Sequence, residues 1–261
     1  MEQPAQSIVP ETESRMQSMA SESARDPAPD LSWRPLYRAG AIAAAITVLM
    51  YLAALLLVAL TEAPPTRGGE AMLDYVAANR SIYIVRQVLW LVPSALLIVL
   101  FLALAVALKH LGKGQALVAG AFAVTSWAGT FAWPATGDGS LVLVMLSDRY
   151  VEAATDAERA PLGGAAETVM AFNEVPAPIG VMQAVGVLLV ALLMLRGVFS
   201  RGVAWLGVIT GTVGVVCEAL RPWLGGWYAA YGLLLFVWMI WVGWELWRLG
   251  NAERSEPDVV A

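Results

Sequence analysis

The sequence predicts an all-α, polytopic integral membrane bundle with six transmembrane helices, both termini in the cytoplasm and short outer helices at the interface. Three observations carry that expectation. Six long apolar runs are separated by charged connections. Hydrophobic residues make up 59 % of the 261 residues and charged ones 14 %, whereas soluble domains hold about half and about a quarter. Basic residues also alternate along the chain in a way that sorts its connections into two sides.

Residues 1–38 are polar, with Pro4, Pro10, Pro27 and Pro29 among Ser, Glu and Arg. Such a composition buries too little apolar surface to fold, so it reads as a disordered cytoplasmic tail. The first apolar run, Ala39 to Leu60, exceeds the roughly 7–15 residues of a signal peptide core. With Arg34 and Arg38 just before it, it is expected to be an uncleaved signal anchor.

A spanning helix needs roughly 20 apolar residues to cross about 30 Å of hydrocarbon. The runs that meet this need are 39–60, 82–107, 115–133, 177–197, 202–220 and 228–248, within a transmembrane domain of 39–250 followed by a flexible tail, 251–261. Alternating from an inside start places Arg34, Arg38, Lys109, Lys113, Arg196, Arg201, Arg248 and Arg254 in the cytoplasm. Arg67, Arg80, Arg149, Arg159 and Arg221 fall outside, diluted by acidic neighbours, as the positive-inside rule requires. Trp133, Trp223 and Trp227 then mark the outer interface, and Trp33, Trp205, Trp244 and Trp247 the inner one. The repeat Trp238, Trp241, Trp244, Trp247 reads as a packing or lipid-facing stripe.

Two outer connections are more than turns. Glu70 to Asn79 carries Met72, Leu73, Tyr75 and Val76 among charges and suits a short interfacial helix. Pro134 to Gly139 makes a turn, after which Ser140 caps a helix running to about Ala153. Thr155 and Glu158 form a capping box that starts a second helix. Pro161 in its second turn predicts that regular structure begins only there, with Leu162, Ala165, Ala166, Val169 and Phe172 on one face. Pro176 and Pro178 predict a break before the fourth span.

Gly207, Gly211 and Gly214 in span five let two helix backbones approach, and Gly180, Ala184 and Gly186 invite the same in span four. Those spans are expected to be neighbours. Charges near the membrane are the sharper signal, because a charge at a helix centre costs about 2.5–3.5 kcal/mol and turns toward a partner or cavity. Arg86 lies one turn inside span two, Glu174 just before span four, and Glu218 and Arg221 close span five. Asp148, Arg149 and Asn173 are secondary members of this outer polar set. Two readings stand: these groups converge on one outward-facing polar pocket, or each reaches separately for water, the arginines by snorkelling. Glu218 and Arg221, three residues apart on one helix, can pair in either case.

Catalytic, cofactor-binding and metal sites are not expected. One cysteine, Cys217, and one histidine, His110, cannot make a disulfide or, together, a zinc site. No HExxH or GxSxG pattern occurs, and Gly137-Asp138-Gly139 lacks the second intramembrane aspartate that a carboxylate dyad needs. With a net charge of −5 and no basic field, nucleic acid is set aside as a partner. Arginine outnumbers lysine fourteen to two, which fits a GC-rich bacterial genome.

From Leu36 to Gly250 the chain resembles a family of small bacterial six-helix membrane proteins, the DUF4386 domain of unknown function. The resemblance lies in Leu36 to Gly40, Leu104 to Lys109, Leu146 to Tyr150 with Thr155 to Arg159 behind it, and Val242 to Leu246. It implies a six-helix fold in a bacterial cell membrane and carries no activity to any residue.

Three functions compete. The first is a non-enzymatic, multi-pass protein of the inner (cytoplasmic) membrane with a structural, sensory or ligand- or partner-binding role. Its expected partners are the lipid bilayer, a membrane protein or a second copy. The second is a small-molecule transporter, suggested by the interruptions at Pro134–Gly139 and Asn173–Pro178. The third is a membrane enzyme using Glu174 or Glu218 as acid or base, with Arg86 and Arg221 holding an anionic group. That one requires all of them to reach a shared substrate.

Overall fold

The computed structural model describes residues 29–133, 139–174, 178–197 and 199–252, with the side chains of residues 173 and 174 outside that description. The turn expected at Pro134 to Gly139 and the break around Pro176 fall outside the described residues, except for Gly139 itself and Pro178.

Every described element is helical. The order is α1 (Arg34–Leu60), α2 (Gly69–Ala78), α3 (Arg80–Leu108), α4 (Lys113–Gly129), α5 (Val142–Glu152), α6 (Asp156–Glu174), α7 (Pro178–Met194), α8 (Arg201–Ala219) and α9 (Tyr228–Asn251). Each of the six apolar runs is one of the long helices. Four stretches are long and apolar enough to cross a membrane: Leu31–Leu60, Arg80–Leu108, Arg201–Ala219 and Arg221–Asn251. α4 and α7 have 17 residues each. At 1.5 Å per residue they cover about 26 Å, somewhat less than a typical hydrocarbon core.

The six long helices pack as a closed ring in which each touches its chain neighbours, α1 against α3, α3 against α4, α4 against α7, α7 against α8, α8 against α9, and α9 back against α1. Small residues set these seams. A Cβ on Gly211 would stand 2.7 Å from the Leu188 backbone, one on Gly186 2.9 Å from that of Ala123, and one on Gly40 2.6 Å from Ala103. The expected pairing of spans four and five is therefore present, and its register, Gly214 at Ala184 and Gly207 at Ala191, is antiparallel. Ring seams built on glycine are what a bilayer demands, since lipid gives helices no hydrophobic reason to associate.

Inside the ring, Phe101 stacks between Trp127 and Trp238 at centroid distances of 6.3 and 6.1 Å. Trp238 is fully buried, while Trp241, Trp244 and Trp247 are exposed. The tryptophan repeat is thus two things. A three-residue step turns about 60° short of a full helical turn, so the series spirals out of the core.

One end of the ring gathers cations. Lys109 bonds Asp30 at 2.9 Å and lies over the Trp33 ring, Arg38 donates to the Gly250 carbonyl, and Arg196 donates to Gln115. Asp30 also caps the turn Leu31–Trp33, and Pro35 lies in the first turn of α1, so order begins before Ala39. His110, in this end, is half-buried.

The opposite end carries a cap. α2, α5 and α6 pack on one another around a second core of Met72, Leu73, Val76, Leu143, Val144, Tyr150 and Ala166, joined by Tyr83 of α3. Its caps are those expected. The Val142 amide donates to Ser140 Oγ, and the Thr155–Glu158 box is closed in both directions. Regular helix, however, runs unbroken from Asp156 through Pro161. The capping box satisfies the first turn, and a proline so near the start forfeits only one amide bond.

Candidate functional site

The outer polar set occupies the cap end, in separate groups. Arg86 is the first. Its position on α3 lies beneath the cap, and its side chain is 1 % exposed, so it does not snorkel. One guanidinium nitrogen lies 3.4 Å from both Thr61 Oγ1 and Tyr75 Oη. Those acceptors are themselves fixed, because the Tyr75 hydroxyl donates to the Glu62 carbonyl and the Thr61 hydroxyl to that of Leu57. One helical turn earlier, the Tyr83 hydroxyl accepts from the Ser140 amide at 3.0 Å and donates to the Ser140 carbonyl at 3.2 Å. Gly139, at φ +151°, brings the chain close enough that a Cβ would meet Gln87 Nε2 at 2.9 Å. Arg86, Tyr83 and Gln87 thus tie α3 to the cap and its connections.

Glu218 and Arg221 make the second group. Glu218 is 5 % exposed at the end of α8. Its Oε1 accepts a 2.5 Å bond from the Tyr228 hydroxyl at the start of α9. Arg221 approaches Oε2 only to 4.0 Å and lies 5.2 Å over the Tyr228 ring. Among the described residues Oε2 is buried without a hydrogen-bond partner. It rests against Gly180 of α7, where any side chain would collide with the carboxyl. Tyr231, one turn along α9, is buried against Gly214 beside it. An acceptor left bare in this way costs about 1–3 kcal/mol unless something fills it.

Among the described residues no ion pair joins Arg86 to Glu218. The secondary residues lie elsewhere. Asp148 forms a two-point bridge to Arg80, with distances of 3.1 and 3.0 Å, on the exposed side of the cap. That bridge holds its carboxyl below the ordinary value of 3.8. Arg149 is exposed. Glu174 and Asn173 belong to the last turn of α6, and their side chains lie outside the described residues.

Sequence reasoning did not find Tyr228, Tyr75 or Thr61. Tyr228 carried a usable signal, since it opens the helix that follows Glu218 across a short turn. Tyr75 and Thr61 did not, because their contact with Arg86 exists only once the cap has docked. No group of three or more His, Cys, Asp or Glu suited to a metal occurs among the described residues. Searches for similarity found no matching family model, no matching curated protein and no matching solved structure.

Proposed function

We propose that the chain is a non-enzymatic membrane protein of six spans, with the basic end and both termini in the cytoplasm, that binds a ligand or partner through a basic group at Glu218. One observation carries this reading: a carboxyl oxygen buried at the cap end of the bundle has no hydrogen-bond partner among the described residues, while its twin is fixed by Tyr228. A carboxyl in that state takes an N–H donor, and a charge-assisted bond of that kind is stronger than a neutral one.

The enzyme reading is weaker because acid–base chemistry needs its groups within reach of one substrate. Among the described residues Arg86 bonds Thr61 and Tyr75, and no ion pair joins it to Glu218. A carrier reading meets the packed centre of the ring, where Phe101, Trp127 and Trp238 fill the space between helices.

The test is thermal unfolding of the full chain in lipid nanodiscs, with butylammonium as the probe and N-butylacetamide as its uncharged counterpart. A ligand that binds only the folded state raises the midpoint as its concentration passes the dissociation constant. Butylammonium is expected to raise it, N-butylacetamide to leave it unchanged, and Glu218→Gln to remove the effect. Equal shifts from both compounds, or a shift that survives in Glu218→Gln, would overturn the assignment.

A further inference from the structure

The basic end holds a second place for a ligand, unrelated to Glu218. A groove of about 370 Å³ runs between α4 and α7, walled by Val118, Ala119, Leu189, Leu192 and Leu193. It opens because the two helices touch closely higher up, where Gly186 meets the Ala123 backbone, and then present small residues against leucines. Val118 and Leu192 remain exposed along it.

The head of the groove is charged. Gly114, Gln115 and Arg196 line it, and the Arg196 guanidinium is held there by a 2.9 Å bond to Gln115 Oε1. Exposed Lys113 opens the same turn of α4. The first turn of α4 holds no acidic residue and no side-chain cap, so no side chain of its own offsets its positive dipole end. Gly114 leaves open space beside it.

The other groove at this end makes a useful contrast. It is lined by Phe199, Ser200, Glu245, Arg248 and Leu249, and there Glu245 lies 3.9 Å from Arg248. Its cation has an acid among the lining residues. Arg196 has no acid beside it among the residues lining the α4–α7 groove.

We propose that the α4–α7 groove holds an anionic phospholipid, with an acyl chain along Val118, Leu189 and Leu192 and the phosphate on Arg196, Lys113 and the first amides of α4. Cationic pockets between membrane helices on the cytoplasmic side suit lipid headgroups of this charge. The apolar groove below the cations selects a lipid over a free phosphate. The proposal rests on α4 and α7 lying in the bilayer, and is independent of any ligand at Glu218.

Native mass spectrometry of the full chain, released from detergent with equimolar phosphatidylglycerol and phosphatidylcholine of identical chains, tests it. Phosphatidylglycerol should be retained over phosphatidylcholine by roughly thirtyfold, given the attraction of about two cations for the anionic headgroup. Arg196→Gln with Lys113→Gln should bring the preference close to one, while Arg196→Lys keeps it. Val118→Trp, which fills the groove, should reduce retention of both lipids without changing the charge. Inorganic phosphate at the same concentration should displace nothing. Equal retention of the two lipids, or a preference that survives in the double variant, would overturn the site. Displacement by phosphate alone would show an anion site without a lipid. Retention of neither lipid by the wild type would contradict the proposal and the placement of α4 and α7 in the bilayer together.

Discussion

Arg86 and Glu218 are both charged residues buried near the cap end of the same ring, at 1 % and 5 % exposure, yet their surroundings differ in kind. Arg86 lies beneath a three-helix cap and meets hydroxyls from two other segments, Thr61 and Tyr75. Glu218 sits at the seam of α7, α8 and α9, with one oxygen fixed by Tyr228 and the other bare. Burial alone therefore does not mark a functional group. An ion whose partners come from several elements is a strut, and one with an oxygen that accepts no hydrogen bond is where we propose that something else binds.

The comparison breaks most sharply at Arg86. Arg86→Ala removes the cation that joins α3 to the cap connections, and hydrogen bonds to a charged group contribute about 1.5–3 kcal/mol each. Hydrogen exchange should show the amides of α2 and α5 losing protection while those of α8 and α9 keep theirs. Equal loss throughout the chain would mean that Arg86 supports the ring and not the cap.

Next in size is Gly211→Ala. The added methyl would stand 2.7 Å from the Leu188 backbone, and overpacking of this kind costs about 1–3 kcal/mol. Its effect should appear as a lower unfolding midpoint, with the Glu218 ligand response preserved in the folded protein.

Tyr228→Phe should cost about 1 kcal/mol, as expected for a single lost hydrogen bond. It leaves both Glu218 oxygens bare, so the butylammonium response should strengthen or hold while stability falls. A response lost along with the hydroxyl would make Tyr228 itself the contact.

The smallest effect belongs to the exposed Arg80–Asp148 bridge. Arg80 holds the Asp148 carboxyl below its ordinary 3.8, so the bridge is intact above that value and is released only as pH falls through the lowered one. Cap protection should match at pH 7 and pH 5 and decline below about 3.8. Asp148→Asn should show that decline at every pH.

Much of this architecture was legible in the chain. The apolar runs are all helices, Thr155 and Glu158 close their box, and the glycines of α7 and α8 meet as their spacing suggests. What could not be read was depth. Arg86 looks shallow in sequence, because nothing in span two announces that α2, α5 and α6 will roof it. The tryptophan repeat looked uniform because residue spacing does not say which turn faces the ring, and Trp238 alone turns inward. Pro161 looked like the start of regular structure because its cost was set above the capping box, yet the helix runs through it from Asp156.

The account stands on the bare oxygen of Glu218, and infrared difference spectroscopy reads that group directly. Spectra of the full chain in lipid, with butylammonium minus without, should show a carboxyl band change that is absent in Glu218→Gln and present in Asp148→Asn. A spectrum with no carboxyl change, or one that persists in Glu218→Gln, would contradict the assignment of Glu218 as the group that receives a ligand.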